Sequence, residues 1–290
     1  MEVSRPAGIE GWLPIAGLMN LKYLLATWEV PRMHAAGLFL LCAFLAISLV
    51  ARKAFCSWLC PIGTISELLW KFGRDTFGCT WRLPRWLDLP LRSLKYVLLG
   101  LFVYAIAGMS AAAIDAFLQG PYGVVADVKM LNLFRYLSVG GAVTIGLLIV
   151  ASVFVQNFWC RYLCPYGALM GVVALLSPMR IRRAAENCID CGKCDKSCPA
   201  ALPVSTLVQI RSAECTNCME CVAACPVEGA LAVTVKPVKR ALPEWGVPVV
   251  IAVLFIGAYG YARYMGYWNP GMSPAVYLEL VPRANEFSHP

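Results

Sequence analysis

The chain has 290 residues, enough for two ordinary domains, but 59% of them are hydrophobic and only 14% are charged. That balance excludes an ordinary soluble protein and belongs in a bilayer. The net charge of +8 would suit nucleic acid if it were spread over one face, but it is concentrated in two stretches that read as a membrane topology and lipid-headgroup signal.

In chain order, residues 1–32 form an outer lead-in. Pro14, Asn20 and Lys22 interrupt the apolar run from Ile9 to Trp28, so an interfacial helix or pair of helices is expected there. No signal peptide is read, because the first strongly apolar run starts about thirty residues in and is long enough to remain as an anchor. Residues 33–177 form the membrane domain. Spans are expected at Met33 to Ala51, Leu94 to Ile114 and Tyr136 to Val155, and a fourth follows from Gly246 to Ala262. Between Arg52 and Lys95 lie eight Lys/Arg against three acids, and between Pro178 and Arg240 nine against six. The loop from Asp115 to Arg135 is balanced. This asymmetry places both basic stretches on the cytoplasmic side.

The first span ends in AFCSWLCPIGTISELL and the third in FWCRYLCPYGALMGVV, an internal repeat with the core C-x3-C-P. On a continuous helix, residues four apart share a face. Each repeat would then present two sulfurs in one direction, and Cys56, Cys60, Cys160 and Cys164 would lie at one membrane depth. Pro61 and Pro165 are expected to end or kink the helices after the second cysteine. Three readings of this tetrad stand open: a third metal centre, either iron-sulfur or Cu(I); a redox-active dithiol relay; or thiols that serve only as small apolar packing residues.

Residues 178–240 carry two runs, CIDCGKCDKSCP from Cys188 and CTNCMECVAACP from Cys215. Both have the spacing C-x2-C-x2-C-x3-C-P, in which three thiolates of a run bind one [4Fe-4S] cube and the fourth crosses to the other. Cluster I then takes Cys188, Cys191, Cys194 and Cys225, and cluster II takes Cys215, Cys218, Cys221 and Cys198. Structural zinc prefers separated C-x2-C pairs, often with histidine. Neither run contains His, and no secretory signature supports disulfides. This small module should be loop-rich, with short strands such as Ala230 to Val235, and should owe much of its stability to the metal. Residues 241–290 supply the last span and an outer tail.

The remaining chemistry is sparse. His34 and His289 are the only histidines, so a chain of b haems is excluded by count, and both read as surface or interfacial residues. Asp115, Gln119, Tyr122 and Asp127 are candidates for an outer quinol site, or for an ordinary polar loop around a G-P-Y-G turn. Cys42 reads as packing, Cys79 as a loop thiol, and Trp58 and Trp159 as lipid-facing or core residues.

The two C-x3-C-P segments, FCSWLCPIG and WCRYLCPYGA, together with the eight cysteines between the third and last spans, resemble the membrane-bound polyferredoxins of the NapH, NosR and CcoG (RdxA) types. The resemblance extends in layout from about Ile9 to the C-terminus. It implies a bacterial inner-membrane, multi-pass electron conduit between the quinone pool or a cytoplasmic donor and a membrane or periplasmic redox partner, with the ferredoxin-type domain on the cytoplasmic side. No flavin-bearing outer domain of the NosR kind is read, so the subfamily stays open. The expected fold is a mostly α membrane protein with about four transmembrane helices and a small α+β two-cluster ferredoxin-like domain. The expected function is one-electron relay through two [4Fe-4S] clusters and a further centre, iron-sulfur or copper, at the C-x3-C-P cysteines. The alternatives are a metal-handling or maturation factor, such as a Cu(II) reductase for oxidase assembly, and a non-catalytic assembly subunit. Expected partners are redox proteins, the lipid bilayer and quinone, with no nucleic acid.

Overall fold

A computed structural model describes residues 7–78, 80–81, 83–236, 240–268 and 274–287. Helices dominate. After a 3-10 turn at Ala7–Trp12 come α1 (Pro14–Thr27), α2 (Ala35–Ala51), α3 (Phe55–Trp58), α4 (Pro61–Phe77) and α5 (Arg85–Gly108). Next are α6 (Ala111–Gln119), α7 (Pro121–Val124), α8 (Ala126–Arg135), α9 (Val139–Phe154), a π-helical turn at Trp159–Leu163, and α10 (Pro165–Ala174). The module holds β1 (Met179–Arg183), α11 (Lys193–Ser197), α12 (Glu220–Ala223), β2 (Leu231–Val235) and β3 (Arg240–Ala241). α13 (Gly246–Tyr264) and α14 (Pro274–Leu280) complete the chain of elements.

The expected spans are met unequally. Trp86–Gly108 within α5 and all of α13 are long and apolar enough to cross a membrane. Their lipid-facing character is physical: Leu101, Tyr104, Val253 and Ile256 are each more than half exposed, which water would penalise and hydrocarbon would not. α8 and α9 qualify only as a pair, bent by 83° at their junction. The first expected span is a helix of 17 residues, at the short limit for crossing, and Leu38, Leu41, Ile47 and Ser48 along it are almost fully buried. The helices therefore give two spans, or three with the bent pair, where four were expected.

The chain divides into two compact units. One comprises Met1–Ala43, Gly100–Ala142 and Phe255–Pro290. Its core packs Met19, Met33, Ile106, Ile114, Leu118, Val124 and Val125. α1 lies on α6, and the Lys22 ammonium donates to the carbonyls of Ile106, Ala107 and Met109 at the C-terminal end of α5. A cation there satisfies orphan carbonyls and opposes the helix dipole.

The second unit comprises Phe44–Leu99 and Val143–Leu254, and it carries all the ligand candidates. Phe44 and Phe55 stack at 4.0 Å between ring centroids, and Tyr166 meets both edge-on. β1 and β2 pair antiparallel from Met179↔Val235 to Arg183↔Leu231, and β3 adds to β2 through Thr234↔Ala241 and Val235↔Arg240. Ile181, Leu231 and Val233 fill the covered face of this sheet. The expected strand from Ala230 to Val235 is β2 with its first residue outside the ladder.

Candidate metal centres

The two cysteine runs fold alike, 27 positions apart. Asp190 and Gly192 in the first run, and Asn217 and Met219 in the second, adopt φ of 50°, 67°, 52° and 65°. Gly, Asp and Asn tolerate this left-handed region, whereas Met does so at a cost of about 1–2 kcal/mol. Left-handed residues among right-handed ones curl the backbone so that successive N–H groups face inward, the shape of an anion nest. The Glu220 N–H bonds the Cys218 sulfur, and the Leu202 N–H donates to Cys198 Sγ at 3.4 Å.

This folding gathers the cysteines in crossed sets. One pocket is lined by Cys188, Cys191, Cys194 and Cys225, with Pro226 and Leu231 beside them. Another is lined by Cys198, Cys215, Cys218 and Cys221, with Ile181 and Ile210. The second set is the deeper: Cys198, Cys215 and Cys221 are buried, while in the first Cys191 is exposed. Burial and neighbouring thiols push the Cys221 thiol up, and burial drives that of Cys218 up to about 12. Such thiols lose their protons on binding a metal rather than to bulk water at neutral pH. Among the described residues, no three His, Cys, Asp or Glu side chains converge at the spacing of a single ion. In a cube each thiolate binds a different iron, so the four sulfurs stand further apart.

The C-x3-C-P repeats differ from the expected geometry. Neither repeat is a continuous helix bearing both sulfurs. α3 ends at Trp58, Cys60 is extended at φ −80° and ψ 114°, and α4 starts afresh with Pro61 at its first position. In the second repeat Cys160 lies in the π turn, and Cys164 is extended at φ −76° and ψ 105° ahead of Pro165. A proline disfavours helical backbone in the residue before it and is well suited to open a helix. The chain therefore breaks before the second cysteine, not after it. A Cβ on Gly63 would fall 2.0 Å from the Cys56 carbonyl oxygen, so only glycine allows α4 to turn back so closely on α3.

The tetrad is nonetheless brought together. Cys56 feels the charges of Cys60, Cys160 and Cys164. Burial, with Cys164 and Cys60 adding to it, pushes the Cys160 thiol up to about 12. Cys164 Sγ accepts the Gly167 N–H at 3.2 Å.

Both repeats dock on the second cysteine pocket. From the first, Ser57 Oγ donates to the Thr216 carbonyl at 3.0 Å and Trp58 Nε1 to that of Asn217 at 3.2 Å, while Asn217 Nδ2 donates to the Ala51 carbonyl at 3.2 Å. From the second, Asn157 Nδ2 reaches the Pro199 carbonyl at 3.4 Å and Arg161 Nη1 that of Ala200 at 2.7 Å. Trp58 thus ties the first repeat to the module through its Nε1 while 40% of it stays exposed.

Several charged residues around these pockets were not singled out by sequence reasoning. Arg52, Lys53, Lys95 and Glu214 are all buried. Arg52 donates to the Ser212 carbonyl, and its Nε and Nη1 have no hydrogen-bond partner. Soft thiols with a dehydrated ammonium, that of Lys53, beside Cys56, Cys160 and Cys164 fit an anionic metal-thiolate group. The available signal was Lys95, a charge inside an apolar run. Arg161, Asp88, Arg92, Tyr162 and Gln156 also line a cavity of about 470 Å³.

The proposed outer quinol residues do not form one site. Asp115 and Gln119 bond each other at 2.7 Å on the surface. Asp127 is buried and accepts from Tyr277 Oη at 3.0 Å. Tyr122 alone lines an apolar cavity of about 1010 Å³, with Met19, Phe102, Ile106 and Phe117. His34 is not interfacial but buried: its Nε2 lies 3.0 Å from the Gly123 carbonyl oxygen and its Nδ1 3.4 Å from Glu10 Oε1. His289 and Cys79 lie outside the described residues.

A family model described as a 4Fe-4S binding domain matches residues 33–79 and 137–183, once over each C-x3-C-P repeat, and one described as a 4Fe-4S dicluster domain matches residues 180–235. The chain is 51% identical over 292 residues to the putative electron transport protein YccM of Escherichia coli (strain K12), covering 99% of this chain and 82% of that protein. It is 30% identical over 198 residues to the methylamine utilization ferredoxin-type protein MauN of Methylorubrum extorquens, covering 66% of this chain and 62% of that one. To the ferredoxin-type protein NapH of Escherichia coli it is 26% identical over 187 residues, covering 61% of each. No solved structure matches.

Proposed function

The chain belongs to the membrane-associated 4Fe-4S electron-transfer family that includes YccM of Escherichia coli, and on that premise we propose that it relays single electrons between the quinone pool or a cytoplasmic donor and a membrane or periplasmic redox partner. Cys188, Cys191, Cys194 and Cys225 hold one [4Fe-4S] cluster, and Cys215, Cys218, Cys221 and Cys198 hold the other. Cys56, Cys60, Cys160 and Cys164 hold a further thiolate-bound centre, iron-sulfur or Cu(I). When bound, such a cube supplies a one-electron carrier whose delocalised charge requires little rearrangement.

The carrying observation is the sorting of eight module cysteines into two pockets, each lined by one crossed set. The protein's own residues then divide the work. The more exposed set, with Cys191 at the surface, is the side at which a redox protein approaches. The deeper set is clamped to both repeats through Thr216, Asn217, Pro199 and Ala200. The basic stretches keep the module on the cytoplasmic side of a bacterial inner membrane, and four spans, with α2 as the first, satisfy that charge pattern.

The test is anaerobic purification of the full chain with iron, sulfide, copper and zinc counts and low-temperature paramagnetic resonance. Two interacting reduced cubes are expected, with Cys191→Ser and Cys218→Ser each removing one of them. Zinc in place of iron, or full transfer activity to an added acceptor in both variants, overturns the reading.

A further inference from the structure

Lys53 lies three residues before Cys56, and its side chain is 3% exposed. Its position is fixed from two sides. A Cβ on Gly167 would lie 3.5 Å from Lys53 Nζ, and the Gly167 N–H donates to Cys164 Sγ. On the other side Lys53 Nζ lies 3.6 Å from Glu214 Oε2, and Glu214 precedes Cys215. Lys95 Nζ grips the same carboxylate at 2.5 and 2.7 Å, and Tyr96 Oη lies 3.5 Å from it. Two ammonium groups therefore share one carboxylate in a dehydrated site, leaving one positive charge in surplus. Glu214 and the side chains of Cys56, Cys160 and Cys164 are the groups close enough to act on the Lys53 charge. An unmatched buried charge is costly, and the groups beside Lys53 able to balance it are the sulfurs of Cys56, Cys160 and Cys164.

Resting on the reading that the tetrad holds a metal-thiolate centre, we infer that Lys53 is the counter-cation of that centre, and that Glu214 joins it electrostatically to the Cys215 cluster. Lys53 is a positioning and tuning residue rather than a ligand. Its ammonium, held without water between the sulfurs and Glu214, stabilises the more negative, reduced form of whatever anion the thiolates bind. At short range in a dry site a fixed charge acts strongly. Glu214 acts in the opposite sense, with its carboxylate 3.6 Å from Lys53 Nζ and its backbone next to Cys215. Lys71, by contrast, pairs with Glu67 and Glu220 at 2.7 and 3.0 Å on a partly exposed face, where solvent screens it.

The experiment is an anaerobic redox titration of the full chain, followed by paramagnetic resonance and metal counts, for wild type, Lys53→Gln, Lys53→Arg, Glu214→Gln and Cys56→Ser. The signal lost in Cys56→Ser identifies the tetrad centre. Its midpoint is expected to fall in Lys53→Gln, to return towards wild type in Lys53→Arg, and to rise in Glu214→Gln. The cluster held by Cys188, Cys191, Cys194 and Cys225 should hold its potential in all of them and report intact folding. An unmoved tetrad midpoint in both Lys53→Gln and Glu214→Gln, with metal retained, overturns the role of Lys53 and leaves the relay reading standing. If Cys56→Ser changes neither metal content nor any signal, the tetrad centre itself is overturned, and Lys53 with it. Should Lys53→Gln fail to accumulate, the Glu214→Gln shift decides: upward supports the inference, and unmoved or downward overturns it.

Discussion

Asp88 gathers three partners in one carboxylate. Arg161 Nη2 lies 2.9 Å from one oxygen and 3.1 Å from the other, Tyr162 Oη donates at 2.6 Å, and Arg92 Nη2 lies at 2.5 Å. Because Arg161 also holds the Ala200 carbonyl, the network braces the second repeat against the segment that follows Cys198. Asp88→Ala leaves Arg161 largely buried without its counter-ion, at a cost of about 3 kcal/mol. The expected outcome is a lower unfolding temperature, and a signal from the Cys198-containing cluster that bleaches in air sooner than its neighbour's. Equal bleaching of both clusters counts against it. At this scale the gathering of the module cysteines into two crossed sets was legible, because their recurrence at fixed short spacings is the pattern soft ligands need to surround a cube. Asp88, Lys53 and Glu214 were not, because no local periodicity marks a charged side chain as buried. Apart from Arg92, four positions from Asp88, their partners lie 73 to 161 positions away.

The hinge before each proline is where element-level reading failed, and the reason was in the sequence. Extending the helical period through C-x3-C ignored the constraint that Pro61 and Pro165 place on Cys60 and Cys164. Pro165→Ala removes that constraint and lets α10 grow backwards through Cys164, swinging its sulfur away from the other three. Stability should change by no more than about 1 kcal/mol, since alanine is as good a helix former at the first turn, while the tetrad signal is lost and the module clusters stay. Retention of all signals would show that the backbone break does not set the sulfur positions. The module makes the complementary case. Its buried apolar residues are few, chiefly Ile181, Leu202, Val204, Ile210, Leu231 and Val233, too small a core to hold a loop-rich fold by itself. Ligation of metal is expected to supply about 10 kcal/mol. Anaerobic chelation should therefore expose the amides of the β1–β2 ladder to rapid hydrogen exchange while α5 and α13 stay protected. Persistent ladder protection in iron-free protein would refute this.

Taken as a whole, the chain poses the question of whether α2 crosses the membrane, and length alone answers it poorly: 17 residues at about 1.5 Å each give roughly 25 Å against a hydrocarbon core of about 30 Å. Charge and packing answer it better. α1 packs on α6, and Lys22 binds the last carbonyls of α5, so α1 shares the side of the loop that follows α5. That loop has a balanced charge, whereas the stretch beginning at Arg52 carries eight basic residues against three acids. The proposed topology puts the basic stretch after α2 on the cytoplasmic side and the balanced flank before it on the other, with α2 as the crossing between them. Its shortness is tolerable because protein, not lipid, surrounds most of it, as the buried Leu38, Leu41, Ile47 and Ser48 indicate, and because local thinning costs only fractions of a kcal/mol per Å. α2 falls short of α5 and α13 in length, not in apolar character. Reporters that fold only in an oxidising compartment, fused ahead of Ala7, within 129–135 and after Phe287, are expected to be active at all three positions, and inactive when inserted at Lys236. An inactive reporter ahead of Ala7 with an active one at 129–135 would mean that α2 turns back without crossing.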